Sequence, residues 1–253
     1  MVQIISKYDT PLIDPQYIEA TLCTMLLGDI SRLHILEIGC GDGKQANILS
    51  KDAMEYTAVD INEKIVSVAK KQIPLNQTNV HYYVLDASTL PFPDNRFDVV
   101  LMFYSLHEIA IEKQELVLQE VYRLLKAGGK LLIIDSVIPS SDLQKNFDLV
   151  HEYISKMNHF EGIKNARFSI KNSINNGLFK LEKKSHLDMM YKFSSKQEII
   201  NYLIEEFQYE IIWTTEKKLK LQSLVEQKYS AILDNQEIIC QDLSDVYLLS
   251  SQK

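Results

Sequence analysis

Cysteine, net positive charge and long apolar runs are all scarce in this chain, and each scarcity removes a class of protein. Its three cysteines, Cys23, Cys40 and Cys240, are widely spaced and odd in number, so neither a disulfide framework nor a zinc cluster is expected. No apolar run approaches the roughly 18 to 20 residues that a membrane-spanning helix needs. The N-terminus has no signal-peptide pattern, and a cytoplasmic location is expected. With 27 Lys and Arg against 34 Asp and Glu, the formal net charge is −7. That disfavours long nucleic acid, whose binding draws on phosphate neutralisation. Internal repeats and low-complexity tracts are also absent. What is present is 46% hydrophobic content in 253 residues, enough to bury a full core in one domain with an elaboration.

The most informative stretch is Leu36-Glu37-Ile38-Gly39-Cys40-Gly41-Asp42-Gly43. Alternating glycines let the backbone turn with positive φ and let a ligand approach main-chain atoms that a Cβ would shield. The apolar segment before them reads as a strand, and Lys44 to Ser50 has helical spacing, so the loop opens onto helix N–H donors. A second strand ends at Asp60, 21 residues after Gly39, where a carboxylate can accept both ribose hydroxyls of a nucleoside. A third, Val80 to Leu85, ends at Asp86-Ala87, where a carboxylate can accept from an adenine amine. A fourth, Phe97 to Met102, runs into Phe103-Tyr104-Ser105-Leu106-His107-Glu108. Polar residues at successive strand ends suit an open parallel α/β sheet, whose ligands sit outside those ends. A dinucleotide fingerprint would be G-x-G-x-x-G, but Lys44 stands where its last glycine belongs. Glu37 also suits a cation better than a pyrophosphate.

From about Leu33 to Asp135 the chain resembles the class I S-adenosylmethionine-dependent methyltransferases of the small-molecule branch. The resemblance rests on five ordered segments: Glu37 to Gly43, Val59-Asp60-Ile61, Leu85-Asp86-Ala87 with Leu90-Pro91-Phe92, Phe97 to Val100, and Leu124 to Leu131 with Gly128-Gly129. It implies a Rossmann-like, doubly wound, seven-stranded and mostly parallel sheet whose last strand is antiparallel. It implies S-adenosylmethionine as cofactor and S-adenosylhomocysteine as product. Glu37, Gly39, Cys40, Gly41 and Gly43 would face the methionine half, Asp60 the ribose, and Ile61 the adenine face. Asp86 and Ala87 would fix the adenine edge, and Phe103 would line the cofactor.

Four segments are expected. Residues 1–32 form an N-terminal helical cap, with Asp14-Pro15 opening a helix. Residues 33–135 form the cofactor-binding core, 136–193 a helical insertion or lid, and 194–253 the completion of the sheet. Ser195 to Glu198 reads as a capping box opening a helix, and Tyr209–Thr215 and Val246–Ser251 as the last two strands.

Acceptor residues are expected after the fourth strand. Tyr104 and His107 are the candidates for catalysis, His107 as a general base of ordinary pKa near 6.5. Tyr8, Tyr104, His107 and Glu108 are the candidates for contact with the acceptor. Holding acceptor and methyl in line is worth up to roughly 7 to 11 kcal/mol, against about 10² to 10⁴-fold for a base. No metal is expected, with Asp135 the one strand-end carboxylate to recheck. The fourth strand lacks the [D/N]-P-P-[F/Y] box of amide and nucleobase methyltransferases. That lowers nucleobase and glutamine-amide methylation, and the acceptor expected is a small metabolite or short peptide methylated on nitrogen or oxygen. A carbon methyltransferase of quinone-type lipids and a non-catalytic S-adenosylmethionine-binding regulator stay open, as does the oligomeric state. From Lys156 to Lys184, seven basic residues face Glu161 and Glu182, a local +5. That run reads either as a lid recruiting an anionic acceptor or as a solvated surface.

Overall fold

The computed structural model describes residues 3–8, 12–13, 18–74, 76–138, 150, 159–209, 211–232 and 236–253. In chain order the described elements are β1 (Gln3–Tyr8), β2 (Leu12–Ile13), α1 (Ile18–Leu27), β3 (His34–Ile38), α2 (Lys44–Leu49), β4 (Glu55–Asp60), α3 (Glu63–Lys71), β5 (Val80–Val84), β6 (Phe97–Phe103), α4 (Ile111–Leu124), β7 (Leu125–Ser136), α5 (His159–Asn175), β8 (Phe179–Phe193), α6 (Lys196–Glu206), α7 (Thr215–Lys228) and β9 (Ile238–Ser251). The chain divides into two compact units. The larger contains Tyr17–Val137, Glu161–His186 and Ser244–Lys253, and the smaller Met1–Gln16, Ile138–Phe160 and Leu187–Leu243.

In the larger unit the strand order is β8-β9-β7-β6-β3-β4-β5. Strands β3 to β7 pair in parallel and β9 runs antiparallel to β7. The mostly parallel order with an antiparallel β9 is as expected, but the sheet has nine strands in all rather than seven. Strand order reverses at β3, whose neighbours are β4 and β6, so the crevice for a ligand opens at the C-terminal ends of β3 and β6. Both strands are buried on two faces and read as nearly continuous apolar runs. Leu36, Ile38, Val100, Met102, Leu131 and Ile133 form one core cluster with Val117, Val121 and Leu124 of α4. Local signals hold the edges. Asn62 caps α3 by accepting from the Lys64 and Ile65 amides, and Lys70 and Lys71 close its last turn.

In the smaller unit β1 pairs antiparallel with β2 and with the second half of β8, from Gln3↔Lys192 to Tyr8↔Leu187. Helix α6 opens as expected: Ser195 accepts from the Glu198 amide, while the Glu198 carboxylate accepts from the Ser194 amide at 2.7 Å.

Three expectations change. The helical reading of 136–193 fails over Phe179–Phe193, which is β8. From Ser185 onward this strand buries every second residue, the period of a half-covered strand. Residues 211–214 are not a strand: Thr214 caps α7 by accepting from the Lys217 amide, and the place beside β9 expected for them belongs to β8. The N-terminal segment holds β1 and β2 before its helix, while Asp14-Pro15 lies outside the described residues. No described helix is long and apolar enough to cross a membrane.

Candidate functional site

The glycine loop follows β3 and is tied to the end of β4. The Gly39 amide donates to Val59 O at 2.8 Å. Gly41 and Asn62 donate to the two Asp60 oxygens at 3.0 and 2.9 Å. Gly39, Gly41 and Gly43 have φ of 75°, 53° and 82°, a region costly for residues with a Cβ. Space adds a second constraint. A Cβ on Gly39 would collide with that of Ser105, and one on Gly43 would lie 2.5 Å from the Tyr82 hydroxyl oxygen and 2.8 Å from Ala69 Cβ. Ser105 in turn donates to Ile38 O at 2.8 Å, so the segment after β6 is fastened to the end of β3.

Glu37, at the end of β3, is 2% exposed. Burial pushes its carboxyl up to about 8, against the Tyr56 hydroxyl that donates to it, with Glu19, Asp60 and Asp42 adding negative charge. The Tyr56 bond is 3.0 Å. Glu19 on α1 accepts from Gln45 Nε2 at 2.8 Å, and burial raises its carboxyl as well. Four carboxyl groups therefore surround one glycine loop. Such a pocket fits a ligand bearing a positive charge and repels a pyrophosphate. Cys40 is buried in the loop, and burial pushes its thiol far up, which removes it from thiolate chemistry.

Along the strand ends, Asp60 keeps lone pairs beyond its two amide partners, and Ile61 beside it is 70% exposed, an apolar surface open to a flat ring. Asp86 is more committed than its sequence suggests. Lys113 Nζ lies 2.6 Å from Oδ2, and the Ser88 amide and hydroxyl donate to Oδ1 at 2.9 and 2.7 Å. The Lys113 bond, with those from Ser88, holds its carboxyl down at about 2. Ala87 packs on the core cluster.

At the end of β6, Phe103 is buried and Tyr104 has φ of 49°, an outlier for a bulky side chain and of the kind that clusters at functional sites. Its amide donates to Ile134 O at 2.7 Å, and Ser244 Oγ donates to its hydroxyl at 3.2 Å. His107 is 6% exposed. Its Nδ1 pairs with Asp135 Oδ1, and its Nε2 lies 2.9 Å from Glu108 Oε1. Burial alone would disfavour the imidazolium, but the charge of Asp135, its hydrogen bond and those of Glu108 raise His107 to about 10. With both nitrogens facing carboxylates, the raised value favours the protonated ring, which speaks against the general-base role expected for His107. Helix α5 packs close above it, since a Cβ on Gly162 would overlap the His107 carbonyl.

This ion array has a pH signature. The folded-state value of about 10 exceeds the ordinary 6.5, so the stability it contributes is fully present below about pH 6.5 and lost as pH rises through 10. His107→Gln should melt well below the wild type at pH 6, and the gap should narrow toward pH 10. A gap independent of pH would show that the imidazolium is not what the array holds.

The structure thus gathers Glu37, the glycine loop, Asp60, Ile61, Asp86, Ala87, Phe103, Tyr104, His107 and Glu108 within the larger unit. Tyr8 lies in β1 of the smaller unit. Glu19, Tyr56 and Lys113 were not anticipated, because nothing in their local sequence marks them. Asp135 carried a signal, a carboxylate closing an apolar strand.

Comparison with known proteins agrees with this geometry. A family model for the methyltransferase domain matches residues 36–133. The ubiquinone/menaquinone biosynthesis C-methyltransferase UbiE of Shewanella halifaxensis is 29% identical over 123 residues, 46% of this chain and 48% of that protein. The alignment thus spans about half the length of the curated relatives. Among solved structures, a Bacillus halodurans protein described as a methyltransferase superposes with a TM-score of 0.65 at 20% identity, covering 93% of this chain and all (100%) of that one. Phosphoethanolamine N-methyltransferase 2 of Haemonchus contortus, in complex with phosphomonomethylethanolamine and S-adenosylhomocysteine, gives 0.53 at 18%, covering 93% of this chain and 52% of that one. At these identities the structural likeness speaks for the fold.

Proposed function

We propose that this chain, whose residues 36–133 match a methyltransferase-domain family, is a class I S-adenosylmethionine-dependent methyltransferase that transfers a methyl group to nitrogen or oxygen of a small metabolite or short peptide in the cytoplasm. The observation that carries the reading is the buried Glu37 carboxyl beside the glycine loop, in a setting that calls for a cation. When bound, S-adenosylmethionine supplies a methyl group already activated on a sulfonium.

The chain's own residues bind and orient. Glu37 and the loop amides take the charged amino-acid end, with Cys40 as a small residue within the loop. Asp60 takes the ribose hydroxyls, Ile61 covers the adenine, and Asp86 with Ala87 sets its edge. Phe103 and Tyr104 wall the cofactor from the acceptor. His107, fixed between Asp135 and Glu108, is a positioning group. Asp135 Oδ2, buried and without a hydrogen-bond partner among the described residues, is the group left to accept from an N–H or O–H of the acceptor. Alignment carries most of the rate, worth up to roughly 7 to 11 kcal/mol in well-oriented systems.

A second reading is favoured by the named relatives: carbon methylation of a quinone-type lipid. Methyl transfer to a membrane-extracted lipid fraction, with none to small amines or phenols, would select it.

Calorimetry of the full chain with S-adenosylhomocysteine tests the shared premise. Asp60→Ala should bind at least tenfold more weakly, because it loses the ribose acceptor and leaves the Gly41 amide unpaired. Equal affinity in wild type and variant, or preferential binding of a nicotinamide dinucleotide, would overturn the reading.

A further inference from the structure

The basic run from Lys156 to Lys184 is sorted by the fold into different environments. Lys164 pairs with Glu161, and Lys130 of β7 with Glu182. Arg167 of α5 and Lys184 of β8 instead turn to Asp245 on β9, and His186 joins them. Asp245 has a side chain only 1% exposed. Its Oδ2 accepts from Arg167 Nη2 and from the Tyr247 hydroxyl at 2.8 Å, with Lys184 Nζ at 3.3 Å. Its Oδ1 faces His186 Nδ1 at 2.8 Å, an approach that becomes a hydrogen bond when that nitrogen carries its proton. Burial would raise this carboxyl, but the bonds from Tyr247 and Arg167 hold it low.

One buried carboxylate thus gathers two permanent cations and an imidazole, and the sum is positive. The contacts from Arg167, Tyr247 and Lys184 all fall on Oδ2, with Oδ1 buried and facing His186, whereas the guanidinium and ammonium keep further N–H donors. Those donors are accessible: the Arg167, Lys184 and His186 side chains are 34%, 39% and 67% exposed. The cationic heads are therefore held in place before any ligand arrives, which lowers the cost of ordering long side chains.

The position of this cluster matters as much as its charge. Asp245 is the register partner of Asp135 across the β7 and β9 pair, so the two side chains share one face of the sheet. Asp135 holds His107. The preceding residue, Ser244, donates to the Tyr104 hydroxyl. The cluster stands one strand beyond the end at which the acceptor is to be methylated.

We propose that Arg167, Lys184 and His186, fixed on Asp245, form a subsite for an oxyanion of the acceptor, a phosphate or a carboxylate. What the oxyanion belongs to rests on the methyltransferase reading, whereas the existence of the subsite does not. The test is titration of the full chain with orthophosphate and, separately, with acetate at constant ionic strength, followed by calorimetry and by the His186 ring-proton resonances. Saturable binding of one of them with a Kd below about 10 mM is expected, and the tighter of the two names the acceptor's group. Lys184→Gln should weaken it at least fivefold and His186→Gln measurably, with S-adenosylhomocysteine affinity unchanged as proof of folding. Lys171→Gln, an exposed lysine of α5 outside the cluster, should leave it unchanged. Absence of saturable binding of either anion, or equal weakening by Lys171→Gln, overturns the proposal. Loss of S-adenosylhomocysteine binding by the wild type would instead strike the methyltransferase reading and leave the subsite standing.

Discussion

Glu37→Gln is expected to lose S-adenosylmethionine affinity at least a hundredfold and to gain thermal stability in the same stroke. The free protein carries a carboxyl that burial pushes up to about 8 from an ordinary 4.5. A carboxyl raised on folding stabilises the fold relative to higher pH below its unfolded value, and that contribution disappears as pH rises through the folded one. Wild-type stability should therefore fall between about pH 4.5 and 8, and the uncharged glutamine should escape that fall. At pH 8 the variant should melt at least about 2 °C higher. Binding runs in the opposite sense. A cationic ligand beside Glu37 favours the ionised carboxylate, so binding releases a proton below pH 8, and wild-type affinity should climb with pH until that point. Breaking a buried charged pair costs about 3 to 5 kcal/mol, which covers the hundredfold. Calorimetry in buffers of different ionisation enthalpy reads the released proton directly. A wild-type affinity flat from pH 6 to 9 would remove Glu37 from the ligand's charged end.

The second large effect is expected at Gly39. Alanine there must adopt φ of 75°, at a cost of roughly 1 to 2 kcal/mol for an L side chain, and its Cβ drives into Ser105. Since Ser105 is bonded to Ile38 O, it cannot retreat without opening the end of β3. Gly39→Ala should lower the melting temperature by several degrees and weaken S-adenosylhomocysteine binding at least tenfold. Gly41→Ala is the comparison, because a Cβ there meets only Ile65 Cδ1 at 3.8 Å. The two alanines should differ mainly in stability. If both destabilise equally, the Ser105 contact is not what makes Gly39 obligatory.

The larger unit's sheet was legible because its information is local. Each parallel strand is an apolar run closed by a polar residue or a glycine turn, and Gly128, with φ of 69°, marks the turn before the apolar part of β7. The pairing of Asp135 with His107 was not legible. It depends on how far β7 extends past β6 and on the turn that follows Tyr104. Strand β8 was hidden by its charged beginning, Lys180 to Lys184, where five exposed residues in a row show no alternation. The two units were hidden for a different reason: each collects separated pieces of chain, and no change of composition marks the crossings.

Ser105 also sets the room for change in this scaffold. It packs against Gly39 of the glycine loop and begins the segment leading to His107 and Glu108, so under the proposed function it borders both the cofactor and the acceptor. Under that reading, an engineer seeking new acceptors, or a lineage drifting toward one, would vary the surface carried by α5 and β8 at little risk to cofactor affinity. A change at residue 105 would alter both together, and under the same reading this one serine marks where the adaptable part of the chain begins.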